Sequence, residues 1–408
     1  MDEARTYRLK LFDADVARFT LARDARTGAR CTNIEVDKEK RHLLPFRMAG
    51  EPASVDRWIR ARTISKNRTY ASRIVRQYGI HLDDPIQILD VCNALSLNDA
   101  YWVVPDDSNA TFAEKNLYEN NFDDLVATVA FSGVVDLSRT PAGPSGELTT
   151  SGQFPKAWRI HEGKRFLYKA GSLNTNGLEP FAEHFAAQLA EALGIYHTPY
   201  DLAEWHGSLC SACPLFTSRE TGFTPFAATF GVLPFEEAAA VYLELREEAF
   251  NLFTGMSVLD ALTANDDRHL NNFGFLFDNA SRRVTGAAPV FDNNLALFMR
   301  DIDSGLTAAD LASTAAWYRG HMDVTLDYQA EYLMTADMKD RLALLRGFEF
   351  APHPVHALAD GYVDLLNEYI RLRVEHLLAL PTVNAADLRR KLQRVPDTRA
   401  ADPFAPER

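Results

Sequence analysis

Cysteine is scarce in this sequence, with four residues among 408, at positions 31, 92, 210 and 213. So few thiols in so long a chain exclude a disulfide framework. Cys210-Ser211-Ala212-Cys213 has the C-x-x-C spacing of a redox pair or half a zinc site. No second such pair and no H-x₃-H follows to complete four ligands, so the pair is expected to pack in a strand-to-linker segment. Long apolar runs are also missing, and none approaches the roughly 20 residues of a membrane span. The start, Met1-Asp2-Glu3-Ala4-Arg5, is acidic and polar, so no signal peptide is read there and the cytoplasm is the expected compartment. Positive charge is in short supply: 43 Lys and Arg against 56 Asp and Glu leave a net charge of -13. That balance argues against whole-surface attraction to nucleic acid or anionic membrane. Glycine is not gathered into a phosphate cradle either, since neither G-x-G-x-x-G nor G-x-x-x-x-G-K-[ST] occurs.

What is present is ordinary for a soluble globular protein, at 47% apolar and 24% charged residues, with chain enough for two or three structural units. Residues 7–12, 16–21 and 32–36 alternate as short strands. The stretch 54–80 reads as helical and basic, carrying Arg57, Arg60, Arg62, Lys66, Arg68, Arg73 and Arg76 against Asp56 alone. Such a face could dock an acidic partner or nucleic acid, and the blander reading is a solvated or internally matched face. Residues 84–104 mix helix and strand signals, and 116–131 read as one helix. Pro141-Ala142-Gly143-Pro144-Ser145-Gly146 is the clearest boundary. After it come a strand over 165–169, a helix from Glu179 stopped by Gly194, a strand over 199–205 and a linker over 209–217. Helical stretches are expected over 235–263, 308–347 (clearest at 327–345) and 356–380. A Pro- and Arg-rich tail, 381–408, is expected to be loosely ordered, with one short helix over 385–393.

The chemistry gathers around Asn265-Asp266-Asp267-Arg268-His269-Leu270-Asn271-Asn272-Phe273-Gly274, answered by Pro289-Val290-Phe291-Asp292. Asp267 and Asn272 lie five residues apart, and Asp292 follows 20 residues later. Residues 273–277 and 284–291 read as two strands with a turn at Asp278-Asn279, which would set Asn272 and Asp292 side by side. Phosphoryl transfer asks for a carboxylate at the attacking hydroxyl and for hard oxygen ligands on Mg²⁺, and these residue types supply both. The bland alternative is a loop rich in turn-formers before a hairpin.

Asp267-Arg268-His269-x-x-Asn272 resembles the D-R-H-x-x-N loop of phosphoinositide 3-/4-kinases and the D-x-H-x-x-N loop of HipA-like bacterial serine/threonine kinases, including those of the CtkA type. Over residues 145–380 the motif order is similar to the HipA-like set. The resemblance implies an α+β, two-lobed protein-kinase-like fold. Its parts would be an N-terminal α+β extension (1–140), a β-rich small lobe and hinge (141–217), a mainly helical large lobe with the catalytic loop (218–380) and the tail. It further implies ATP and Mg as cofactors, with Lys169 on the phosphates and Glu183 orienting that lysine. Asp267 or His269 would be the base, with the choice open, and Asn272 and Asp292 would hold the metal. Ser151-Gly152-Gln153-x-Pro155-Lys156 resembles the S-G-x-Q-x-K phosphate loop, with Gln and Lys shifted relative to one another. Ser151, Gly152, Gln153 and Lys156 are its nucleotide-binding candidates, and 212–217, ending at Phe216 and Thr217, would be the hinge that reads adenine. Asn293 after Asp292, in place of Gly, implies no D-F-G-type switch. Thr149, Thr150 and Ser151 are candidates for self-phosphorylation, which would close the site by adding charge. Residues 1–140 are similar to the extensions of some HipA- and CtkA-like proteins through Arg41-His42-Leu43-Leu44-Pro45 and Trp58-Ile59-x-x-Arg62.

The implied partners are a protein substrate with a Ser or Thr acceptor and an antitoxin or regulatory protein. Direct nucleic-acid or membrane contact is not expected. Two other readings stand beside the kinase. One is a nucleotide-binding interaction protein without turnover. The other is a metal-dependent hydrolase using Asp266, Asp267, His269 and Asp292, which leaves Lys169 and Glu183 idle.

Overall fold

The computed structural model describes residues 4–143, 145–174 and 176–395. The acidic residues 2 and 3, Pro144 of the boundary stretch and residues 396–408 of the tail lie outside them. The architecture is α+β, with three antiparallel sheets and most of the helix in the second half of the chain.

The first sheet has the order β3-β2-β1-β4, from β1 (Arg5–Leu11), β2 (Ala14–Asp24), β3 (Gly28–Val36) and β4 (Tyr101–Pro105). Helices α1 (Pro52–Ala61), α2 (Ala71–Gln77), α3 (Pro85–Cys92), α4 (Phe112–Lys115) and α5 (Asp124–Ser132) accompany it. Alternation on β1 and β2 turns Tyr7, Leu9, Phe19 and Leu21 into one core, where Trp102 is fully buried. The helix expected over 116–131 is interrupted. Asn116 bonds its own backbone neighbours instead, donating to Phe112 O at 3.1 Å and accepting from Glu119 N at 2.8 Å. The helix restarts only at Asp123, whose carboxylate caps Leu125 N at 2.8 Å. Much of the basic run is matched internally: Arg62 pairs with Asp99, Lys66 with Asp83 and Arg68 with Glu147, leaving Arg57, Arg60 and Arg76 exposed.

The second sheet has the order β5-β6-β8-β7, from β5 (Lys156–His161), β6 (Lys164–Ala170), β7 (Asp201–Trp205) and β8 (Ser208–Pro214). Two corrections follow. Lys156 is the first residue of a strand rather than part of a loop. Residues 212–214 are not a free linker but lie in β8, paired with Tyr168, Leu167 and Phe166 of β6. Helix α6 (Glu179–Ala192) sits beside this sheet, yet Phe181, Phe185, Leu189 and Leu193 belong to the large core of the second half. A third cluster joins α2 and α5 of the first unit to Ala157, Ala170 and Cys210 of the second sheet.

The third sheet, β11-β10-β9, is formed by β9 (Thr221–Pro225), β10 (Gly274–Asp278) and β11 (Val284–Ala287). Strand β11 is shorter than expected, because the chain leaves the hairpin and Val290 pairs in parallel with His197. Around it stand α7 (Phe226–Thr229), α8 (Phe235–Leu245), α9 (Glu247–Thr263), α10 (Ala308–Ala315), α11 (Leu326–Leu333), α12 (Ala336–Ala343), α13 (Tyr362–Ala379) and α14 (Ala385–Leu392). The stretches 235–263 and 327–345 each break once, at an extended Arg246 and at Thr335, whose hydroxyl caps α12. The helix expected from 356 starts at Tyr362 behind Gly361, whose φ is +81°. Leu388 and Leu392 of α14 are buried in the large core, so this part of the tail is docked, against the loose order expected.

Candidate functional site

Three elements meet at Lys169. Its ammonium, on β6, donates to Glu183 Oε1 of α6 at 2.9 Å and also pairs with Asp292, which follows the β10–β11 hairpin. Glu183 is held on its other oxygen by the Ser211 hydroxyl of β8. All three charges are cut off from bulk water to different degrees, and the cluster persists because each cation has carboxylates and each carboxylate a donor. Burial works against charge on Lys169, but Asp292 and Glu183 outweigh it and hold the ammonium well above its usual range. Burial would likewise raise Asp292, but Lys169 and then Lys156 bring it down to about 2. Burial dominates at Glu183, the third member, whose carboxyl is raised.

Lys156 stands directly across the β5–β6 ladder from Lys169. Like charges opposite one another repel. Burial, followed by the Lys169 ammonium, pushes Lys156 down to about 7. Its Nζ donates to Ser151 O at 2.9 Å, which folds residues 151–155 over the sheet. Gly152 needs its φ of +90° there, and a Cβ on it would lie 2.1 Å from that Nζ. Ser151, Gly152 and Gln153 are exposed. The Phe154 ring, at the position left blank in the motif, has Lys169 Nζ 5.8 Å from its centre. Phe216 packs edge-on against Phe223 at 5.5 Å and tilted against Phe291, the neighbour of Asp292, at 5.4 Å. Leu215 gives its N–H to Arg165 O at 2.9 Å.

The loop after α9 is built on a buried guanidinium. Arg268 makes a bidentate ion pair with Asp260 of α9, donating from Nε at 3.0 Å and from Nη2 at 2.9 Å. It also donates to the carbonyls of Phe291 and Asn272 and to the Asn293 side chain. One side chain thereby ties the loop that carries Asp267 to the segment that carries Asp292, and brings Asn272 and Asp292 to the same place. Asn272 Nδ2 donates to Asp267 O at 3.1 Å, which leaves Oδ1 as the acceptor. Asp292 adopts a left-handed φ of 59°, and its N–H donates to Tyr200 Oη at 3.0 Å. His269 accepts from Asn271 N at Nδ1, 3.2 Å away.

Asp267 is half-buried, and its carboxylate accepts from His321 Nε2 at 3.2 Å. Asp266 turns elsewhere, toward Arg300 at 3.7 Å, and burial raises its carboxyl. Among the described residues no group of three or more His, Cys, Asp and Glu could hold a metal ion. The oxygens of Asn272 and Asp292 fit Mg²⁺, a hard ion held by few protein ligands together with phosphates. The four cysteines are free thiols, and burial raises Cys210 and Cys213 each to about 12. Asp260, Ser211, Tyr200 and His321 were not named as site residues from the sequence, and Asn293 was read only for the glycine it replaces. The one usable signal was Asp260, a carboxylate amid the apolar run of α9 that requires a buried cation nearby.

No family model matches the chain, and no curated protein matches it. Solved structures do. The structure of the Shewanella oneidensis MR-1 toxin–antitoxin system of HipA, HipB and operator DNA aligns with a TM-score of 0.55 at 13% identity. That alignment covers 94% of this chain and 99% of that one. The Helicobacter pylori proinflammatory kinase CtkA aligns at 16% identity and a TM-score of 0.42, over 58% of this chain and 94% of that one. The fold is HipA-like, as the motif order implies. No helix among the described residues is long and apolar enough to cross a membrane.

Proposed function

We propose that this chain is an ATP- and Mg²⁺-dependent protein serine/threonine kinase of the HipA type. The observation that carries the reading is Lys169, held at once by Glu183 and Asp292 from two other elements. In this arrangement a lysine steadies nucleotide phosphates while the second carboxylate serves a metal. Asn272 and Asp292 would hold Mg²⁺, which would supply charge neutralisation at the phosphates when bound. Lys169 and Lys156 receive the phosphate oxygens, and Phe216 lines the adenine side. Asp267 takes the proton of the acceptor hydroxyl as the oxygen–phosphorus bond forms and ADP leaves with the electron pair of the broken bond. His269 supports the loop that carries it.

Purified protein with Mg²⁺ and γ-labelled ATP, alone and with myelin basic protein, tests this beside Asp267→Asn and Asp292→Asn. Each variant is expected to lose roughly a thousandfold or more of the transfer rate. Label that survives both substitutions places the chemistry elsewhere, and tight Mg-ATP binding without turnover makes the chain a binding protein.

Of the three self-phosphorylation candidates, Thr149 and Thr150 give their hydroxyls to Gly146 O at 3.2 and 2.7 Å, whereas Ser151 is exposed. Mass spectrometry after long incubation with ATP is expected to find phosphate on Ser151, and peptides over 147–158 without it would count against this. The fold likeness runs through residues 1–140, so the same reading gives the chain a regulatory protein partner of the antitoxin kind.

A further inference from the structure

The segment that returns to Asp267 comes from far along the chain. Between α10 and α11 the backbone forms a small pinned hairpin. Arg319 bridges Thr325, Gly320 N bonds Val324 O at 3.3 Å, and Leu326 N bonds Tyr318 O at 2.9 Å. Its base is fixed by Tyr318 on Phe298, with ring centres 5.3 Å apart. Its tip places His321 against Asp267 at 3.2 Å and against the His269 ring at 5.7 Å. Among the described residues His321 is the only hydrogen-bond partner of the Asp267 carboxylate. A carboxylate without that bond is free to turn about both side-chain torsions. With it, Oδ1 is occupied and Oδ2 is left to face an incoming hydroxyl.

The same hairpin begins at Trp317, whose side chain is 79% exposed. The other four tryptophans are buried or half-buried. An exposed indole on a pinned loop offers a large rigid contact face at little entropic cost. His321 lies four positions further on, a reach of at most about 14 Å at 3.3–3.6 Å per residue. An extended acceptor chain covers that distance with about four residues of its own. Arg319 lies 3.5 Å from Asp323 and both are solvent-exposed, so Trp317 is the one large apolar side chain the hairpin presents.

We propose that hairpin 317–325 is the acceptor-side wall of the site, with His321 as the positioning residue for Asp267 and Trp317 as the contact for the acceptor. The occupant is a polypeptide carrying an aromatic or aliphatic residue within about four positions of the Ser or Thr. This rests on the kinase reading and adds the acceptor side to it.

The test is steady-state kinetics of full-length protein with Mg-ATP, myelin basic protein as acceptor, and ADP release in its absence as transfer to water. His321→Ala is expected to lower kcat roughly 10- to 100-fold while the KM for ATP holds within about twofold. His321→Gln, which keeps a donor near the Nε2 position, is expected to recover most of that loss. Trp317→Ala is expected to raise the acceptor KM roughly 5- to 30-fold with little change in the rate of transfer to water. Both positions are exposed enough for the variants to fold, which a thermal melt verifies. An active wild type and a dead Asp267→Asn beside a His321→Ala as fast as wild type would overturn His321 and leave the kinase reading standing. An unchanged acceptor KM in Trp317→Ala would overturn the docking face. A wild type that binds Mg-ATP yet transfers to neither protein nor water overturns the kinase reading and the hairpin's role with it.

Discussion

At the scale of single residues, Lys156 carries the most information about the site. It faces another lysine across a strand pair, and burial together with that neighbour leaves it near pH 7, about half charged at neutrality. The sign of the consequence is fixed. Above about pH 7 the lysine is mostly neutral, and an arriving triphosphate favours its charged form and raises its pKa. Nucleotide binding at about pH 8 should therefore take up close to one proton, falling toward none at about pH 6. Calorimetry in buffers of different ionisation heat reads this directly, and Lys156→Met should abolish it. Zero uptake by the wild type at the higher pH would mean that Lys156 does not face the phosphates. The sequence showed Lys156 only as part of a shifted loop motif, because nothing in a linear pattern tells which residue will oppose it across a ladder. Lys169, Glu183, Asp267, Asn272 and Asp292 could be named as candidates, since their types and spacing follow the chain order of elements. Their convergence through Arg268 and Lys169 was not legible.

At the scale of elements, α9 and the loop after it act as one part. The Arg268–Asp260 pair is fully buried, and removing one partner leaves an uncompensated charge. Asp260→Ala should cost roughly 3–5 kcal/mol of stability, seen as a lower urea midpoint with an unchanged slope. A loss below about 1 kcal/mol would show that the guanidinium finds water or other acceptors instead. Helix α6 is likewise less independent than its place beside the small sheet suggests, because its apolar face is packed into the large core. Periodicity revealed that α6 and α13 exist but not where long helical stretches break. Asn116 and Thr335 end or start helices through local side-chain bonds, and Arg246 through an extended backbone, none of which a hydrophobic pattern registers.

At the scale of the molecule, the first 140 residues and the segment 147–156 share a buried staple. Arg68, on the α1–α2 connection, bonds Glu147 Oε2 at 2.5 Å and Lys156 O at 2.9 Å, while Thr69 N bonds Gln153 O at 2.8 Å. Glu147 in turn accepts from Trp158 N at 2.7 Å. A fragment beginning at residue 141 would leave Glu147 without its cation and strip α2 and α5 from the apolar residues of β5 and β6. It should be insoluble, or bind Mg-ATP at least about tenfold more weakly than the full chain, by calorimetry. A soluble fragment of full affinity would refute this coupling. Composition and the break at 141–146 suggested two units, and they could not reveal a cluster in which α2 and α5 pack onto β5 and β6. The clamp on Asp292 has a consequence for inhibitor design. Turning that residue away means breaking the bonds of Arg268 to Phe291, Asn293 and the hairpin base, and abandoning Lys169. If that rearrangement costs roughly 3–5 kcal/mol, the turned-away conformer makes up less than about one per cent of molecules. A compound selecting that conformer starts two to three and a half decades of affinity behind one that binds beside Lys169 as it stands, by roughly 1.4 kcal/mol per decade.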